Sequence, residues 1–399
     1  VTGLVRRDET TLRLGGHGND WHMTWAADDT QLLALCDGTG WPGTRNAPFN
    51  SRLYRVLGGP EDARFEDLAG YPDLVDGTPA SRERPRYQGY ATLAVDGRIY
   101  QFLTLITFDR SPEDAWSDAR FDGAKLISSP DAGATWRNQD GSSPVRWEGW
   151  DELGSDTMAF WREPQNAFSL LAIVQMGRDY RANTDGYVYI YGTNGVVDGQ
   201  INELVLARVP KDRVPDRTAY EFFAGHRADG GAGWTPDIEQ RGVVHTFPRG
   251  RVNEEGLSHS WQPGITYNEP LGLYMMSVWG HGVNERSEEF SAPSYLGVLV
   301  SENAWGPWTQ IHEEVSWTPL GDQGSRCYQP QIAPKWVAAD GRSFWLVWSD
   351  FQTIEGEELE RATRRTLERD PSLGEELARS ASTRPYYAFN TQRVDLVMR

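Results

Sequence analysis

Cysteine and lysine are the scarce residues in this chain. Two cysteines in 399 residues, Cys36 and Cys327, exclude a disulfide scaffold and any zinc site built from several thiolates. They can form at most one bridge, and the expectation is two buried free thiols. Lysine stands only at Lys125, Lys211 and Lys335, so arginine carries nearly all the positive charge. No run approaches the roughly 18 apolar residues of a membrane span, and no basic, apolar segment opens the sequence. Metal-ligand spacings such as H-E-x-x-H are missing, as are a phosphate loop, a G-x-S-x-G elbow and a dinucleotide fingerprint. The formal net charge of −18 argues against nucleic acid and anionic membranes as partners.

What is plentiful is aromatic and turn-forming. Apolar residues make up 39%, with 17 Trp among them, enough for a large core. The 41 Gly and 23 Pro supply the frequent turns of an all-β chain.

Five segments repeat one pattern, an apolar strand, a tight turn and a strongly apolar strand. They run through Met23 to Cys36, Tyr90 to Leu103, Ala159 to Ile173, Ile265 to Trp279 and Ala333 to Trp348. Joins such as Asp96-Gly97 and Asn268-Glu269-Pro270 are hairpin chemistry. Aligned on Trp25, Leu93, Trp161, Tyr267 and Trp336, the segments are spaced by 68, 68, 106 and 69 residues, the long interval absorbing an insertion in the third unit. Outer strands follow at Arg52–Leu57, Ala124–Ser129, Glu203–Arg208, Tyr295–Val300 and Tyr386–Asn390. Four strands in units of about 70 residues predict a single five-bladed β-propeller over residues 1–399. A strand near Thr11–Leu14 completes the last blade in this reading and removes the open edges. Residues 355–382 read as a charged helical insertion in that blade, with Glu357/Arg361 and Glu360/Arg364 paired at i, i+4 and Pro371 splitting it into two short helices.

Ser129-Pro130-Asp131-Ala132-Gly133-Ala134-Thr135-Trp136 matches the Asp-box pattern S-x-D-x-G-x-T-W in full. Its physics is a turn between outer strands, so Asp131 is expected to be structural. Chemistry is sought instead where inner strands begin and line the funnel. Five residues before each alignment point lie Asp20, Gln88, Asp156, Gln262 and Gln331, flanked by Trp21, His22, Arg86, His259, Trp261 and Gln329. Second strands return to the same end at Asp37, His281 and Asp350. Acids, amides, histidines and tryptophans suit a carbohydrate bound in the funnel, with Asp156 and Asp350 as reserve acids.

The first blade offers an acid at both strand ends, Asp20 and Asp37. Paired strand ends lie about 5 Å apart at Cα, which suits two glycosidase carboxyls. One kept protonated by desolvation would protonate the glycosidic oxygen while the other activates water. The plain alternative makes Asp37-Gly38 a strand-end turn and Asp20 a cap. A second chemistry also stays open, a uronate lyase using His17, His22, His259 or His281 with Arg86, Arg251 and Tyr328. A third reading is a glycan-binding propeller without catalysis.

Gly18-Asn19-Asp20-Trp21-His22-Met23-Thr24-Trp25, followed by Leu35-Cys36-Asp37-Gly38, resembles the opening of bacterial sialidase-like propeller proteins of the endo-D-arabinanase type. Leu206 to Lys211, Ala219 to Phe223, Thr266-Tyr267-Asn268 and Pro334-Lys335-Trp336 carry the resemblance across most of the chain. It implies a five-bladed glycoside hydrolase in which Asp20 and Asp37 act as an inverting pair. Trp21-His22-Met23 stands where that group carries small apolar residues, which alters the rim of the first blade. Other propellers with comparable hairpins are uronate lyases. No cofactor is expected to be required, and a structural Ca²⁺ on the funnel floor is compatible with the reading. The expected state is a monomer or weak homo-oligomer, in an extracellular or periplasmic setting.

Overall fold

The computed structural model describes residues 1–41, 49–72, 74–75, 86–108, 119–149, 152, 159–195, 200–247, 263–284, 289–369, 371 and 385–399. Five antiparallel sheets follow one another along the chain as the blades of a five-bladed β-propeller. Blade 1 orders Met23–Trp25, Gln31–Leu35, Phe49–Leu57 and Arg64–Asp67. Blade 2 orders Arg86–Val95, Arg98–Phe108, Ala119–Ser129 and Arg137–Asn138. Blade 3 runs from Leu171–Ile173 through Tyr187–Thr193 and Glu203–Pro210 to Glu221–His226 and Ala232–Thr235. Blade 4 comprises Gly264–Asn268, Leu273–Val283, Glu289–Ser301 and Thr309–Trp317. Blade 5 takes Cys327–Ile332, Ser343–Asp350 and Asn390–Val397, and its outermost strand is Gly3–Arg6 from the other end of the chain.

The second strands are almost unbroken apolar runs because both of their faces are buried. In Gln31–Leu35 the alternation sorts side chains between two cores. Leu32 and Ala34 pack toward blade 2 with Tyr87, Leu103 and Ile127. Leu33 and Leu35 pack toward blade 5 with Val347 and Phe389. Met275 and Met276 divide in the same way, the first toward Ile332 and Phe344, the second toward Ile190 and Val205. Burying a Leu of this kind contributes about 1.5–3 kcal/mol.

Polar side chains on the inner strands stitch the ring. Thr24 Oγ1 accepts from the Ala94 N–H at 2.9 Å, and Gln175 Nε2 donates to the Thr92 carbonyl at 3.0 Å. Gln175 also pairs with blade 4 through its backbone, and Thr266 Oγ1 donates to the Ile332 carbonyl at 3.0 Å. Gln31 Oε1 accepts from the Lys335 N–H at 3.0 Å and closes the circle from blade 5 to blade 1.

Three details differ from the sequence expectation. Ala159–Trp161 pairs with Ala119–Ser129 of blade 2, so the inner strand of blade 3 is Leu171–Ile173. Phe160 and Trp161 look like strand residues because they are a buried aromatic wedge, Trp161 stacking on Phe168 at 4.8 Å and meeting Tyr220 edge-on at 5.1 Å. Second, the closing edge is longer than Thr11–Leu14. Leu12 and Arg13 pair with Thr391 and Asn390, and Gly3–Arg6 continues the same edge beyond a short turn. The third strand of blade 5 accordingly starts at Asn390, beyond most of Tyr386–Asn390. Third, one helix, Gly356–Arg369, occupies the first half of the insertion, and residues 372–384 lie outside the described residues.

The Ser129–Trp136 turn is built as its sequence requires. Asp131 accepts from the Thr135 N–H at 2.8 Å and from Thr135 Oγ1 at 2.7 Å, and Trp136 packs edge-on to Tyr71. Asp131 is thus a turn residue in the outer part of blade 2.

Candidate functional site

One backbone irregularity recurs at the starts of three inner strands. In blade 1, Asn19 bridges Cys36 while Met23 pairs with Leu33, so the first strand carries one extra residue. Blade 2 does the same between Gln88↔Thr104 and Ala91↔Phe102, and blade 5 between Tyr328↔Ser349 and Gln331↔Val347. A β-bulge of this kind bends the strand and re-aims a side chain. In blade 1 the re-aimed residue is Asp20, whose φ of 66° lies in the left-handed region.

Asp20 is fully enclosed. Its Oδ1 lies 3.2 Å from His22 Nε2, and its Oδ2 accepts from Cys36 Sγ at 3.5 Å. Burial pushes its carboxyl up from the ordinary 3.8 to about 6, against the opposing pull of His22 and the Cys36 hydrogen bond.

Asp37 also has a left-handed φ, of 48°, and sits at the end of the neighbouring strand with a side chain 18% exposed. Gln88 Nε2 donates to its Oδ2 at 2.6 Å, and Arg86 Nη1 stands 3.6 Å from its Oδ1. These are the partners of a carboxylate. The residue after it must be glycine, since a Cβ on Gly38 would lie 1.9 Å from the His17 carbonyl oxygen. The two acids are offset along the hairpin, because the directly bridged pair is Asn19 and Cys36. They nevertheless share neighbours: the Cys36 thiol and the Tyr90 hydroxyl are each pushed up by burial and further by the charges of both Asp20 and Asp37.

An aromatic wall adjoins this pair from blades 4 and 5. Trp279, Tyr328 and Tyr387 form a cluster with Phe290 and Phe351. Phe290 stacks on Phe351 at 4.7 Å, and Tyr387 accepts a hydrogen bond from Asn19 Nδ2 at 2.7 Å. Tyr90, Tyr387, Phe290 and Phe351 were not among the expected site residues. Tyr90 and Tyr387 were legible only as ends of hydrophobic strands, and the two Phe residues carry no motif at all.

The other expected residues divide. Gln88 is part of the pair's immediate surroundings, and His22 is the partner of Asp20. Gln331 lies on the inner strand of blade 5 and His281 is buried beside Phe290. Trp21 is a correction: it is fully buried against Trp41 and Phe389 with its indole donating to the Ala388 carbonyl, so it has no face for a sugar. Asp350 is a second correction. Fully buried, it accepts from the Arg326 and Gln352 N–H groups and from Cys327 Sγ, the contacts of a strand-end cap. Asp156, His259, Trp261 and Gln262, with Arg251, lie outside the described residues. Both cysteines are free and buried. Among the described residues no group of three or more His, Cys, Asp or Glu converges to hold a metal ion, and no helix is long and apolar enough to cross a membrane.

Similar solved structures include an α-L-arabinofuranosidase from Podospora anserina in complex with cellotriose, 10% identical over 96% of this chain and 95% of that one, with a TM-score of 0.44. A GH43_1 enzyme from Xanthomonas citri is 10% identical over 98% and 91% of the two chains, with a TM-score of 0.45. A protein of unknown function from Dyadobacter fermentans is 9% identical over the whole of both chains, at 0.41. Likenesses this distant say nothing about chemistry. No curated protein matches the chain. Residues 90–354 match the pattern of the family described as a domain of unknown function, DUF4185, and the chain belongs to that family.

Proposed function

We propose that the protein is a glycoside hydrolase that cleaves an oligosaccharide or polysaccharide at the open end of blade 1, with Asp20 as general acid and Asp37 as general base. The observation that carries this reading is the contrast between two neighbouring carboxyls. Burial raises Asp20 to about 6, so it keeps its proton in mildly acidic solution where an ordinary carboxyl is already ionised. Asp37, partly exposed, is held by Arg86 and Gln88 in the contacts of an anion. Two acids in opposed environments are how a glycosidase divides its roles. In the reaction Asp20 gives its proton to the glycosidic oxygen as the C–O bond breaks. Asp37 takes a proton from the water that attacks the anomeric carbon, inverting it, and the half-buried rings of Phe290 and Phe351 in the neighbouring aromatic wall offer faces for sugar rings.

The lyase reading is less well supported. Burial pushes the Tyr328 hydroxyl well above its ordinary value, which makes it a poor base near neutral pH. Arg86, one of the two arginines that reading would use to hold a uronate, already faces Asp37.

Asp20→Asn and Asp37→Asn test the assignment. Each is expected to lower kcat by at least roughly a hundredfold, the usual scale for losing an acid or base, with little change in KM. Near-full hydrolysis by either variant would remove that residue from the mechanism.

A further inference from the structure

The bulge that re-aims Asp20 recurs in blade 5, the adjoining blade of the ring, and there it re-aims an amide. By register Gln329 holds the position in blade 5 that Asp20 holds in blade 1, one residue beyond the last regular pair. Its φ of 52° repeats the left-handed conformation of Asp20, which a glutamine adopts only at a cost. The two bulges are tied together. Ser349 Oγ, opposite Tyr328, donates to the Gly18 carbonyl at 2.9 Å, and Tyr387 both stacks on Tyr328 and accepts from Asn19.

Gln329 is 1% exposed, yet neither its amide nitrogen nor its amide oxygen has a hydrogen-bond partner. A buried amide left unmade on both sides, in a strained backbone, weakens the fold and calls for a ligand. Two residues on, Gln331 is buried with its Nε2 likewise unpartnered. An amide offers one donor face and one acceptor face side by side, which matches two neighbouring hydroxyls of a sugar. An anionic sugar would instead require a cation. Arg13, Arg86 and Arg326 are each engaged, by Asp350 and Asn390, by Asp37, and by the carbonyls of Phe290, Gln323, Ser325 and Ser291.

We propose that Gln329 is a substrate-positioning residue whose amide binds adjacent hydroxyls of a neutral sugar ring, holding that ring against the Asp20–Asp37 pair; this rests on the hydrolase reading above. The test uses the full chain carrying Asp37→Asn, so that ligands bind without turnover. Its affinity for neutral and for uronate-containing oligosaccharides is measured by calorimetry, with Gln329 present and with Gln329→Gly. Glycine adopts this φ freely, so the Gln329→Gly protein is expected to keep or raise its Tm. Its affinity for the neutral oligosaccharide is expected to fall roughly tenfold or more, with partial recovery in Gln329→Asn. In the otherwise unsubstituted enzyme KM should rise by more than kcat falls. Equal affinity with and without Gln329, or preferential binding of uronates, would overturn this proposal and leave the acid pair standing. Failure of every oligosaccharide, neutral or uronate-containing, to bind the Gln329-bearing protein would overturn it together with the hydrolase reading.

Discussion

In the proposed mechanism one proton on Asp20 would couple catalysis to stability. An acid whose pKa is raised on folding favours the folded state while protonated. Below its ordinary 3.8 the folded and unfolded chains both hold the proton, and Asp20 costs nothing. As pH rises toward the folded value of about 6, the unfolded chain gains by ionising first, and stability falls; above it the loss is constant. The full loss is of order 3 kcal/mol. Asp20→Asn keeps the shape and removes the titration. It should therefore unfold at higher urea than the unsubstituted chain near pH 8, and at about the same urea near pH 4. A variant less stable by the same margin at both pH values would show that the carboxyl serves packing alone. Gly38 supplies a second check at this scale. Gly38→Ala drives a Cβ into the backbone of His17 and Gly18, so Tm and activity should both fall.

Much of the site could be read from residues at strand ends. Asp20, Asp37, Gln88 and His22 stand out as candidates because hairpin ends that line a funnel must be polar. The bulge was not legible, since it is a property of pairing register, and it decides that Asp20 turns inward and that Gln329 shares its position. Trp21 misled for the same reason. Beside Asp20 in sequence, it points into the core between blades 5 and 1.

At the scale of the element, the hairpins were plain because their second strands are apolar on both faces. The connections were less so. Phe160 and Trp161 mimic a strand by hydrophobicity while serving as a wedge, held further by Arg217 over the Trp161 ring at 4.2 Å. Blade 2 carries a buried ion pair that composition could not announce. Lys125 Nζ donates to Glu148 Oε1 at 2.9 Å, and Tyr87 donates to Glu148 Oε2 at 3.0 Å. Desolvation lowers the Lys125 pKa despite this partner. Removing Glu148 alone leaves a buried cation unpaired, so Glu148→Ala should cost about 3–5 kcal/mol in denaturant unfolding. Replacing both residues together, Lys125→Met with Glu148→Leu, should cost less than either single change. A double variant as damaged as the sum of the two would contradict this account.

The whole molecule is a ring closed by its own ends. Gly3–Arg6 covers the last strand of blade 5, and Arg6 reaches Glu314 of blade 4 through two hydrogen bonds of 2.6 and 2.9 Å. Removing residues 1–7 should lower Tm and leave Asn390–Val397 open to pairing with other chains, seen as self-association in light scattering. A closed ring brings strand starts together at one end, and that convergence gathers acids, amides and aromatics into the candidate site. The most direct measurement is to incubate the protein with mixed neutral and acidic polysaccharides, following new reducing ends together with the ultraviolet absorbance of an unsaturated uronate. The proposed hydrolysis yields reducing ends without that absorbance, and Asp37→Asn abolishes them. Reducing ends that rise in step with the absorbance, or that persist in Asp37→Asn, would contradict it.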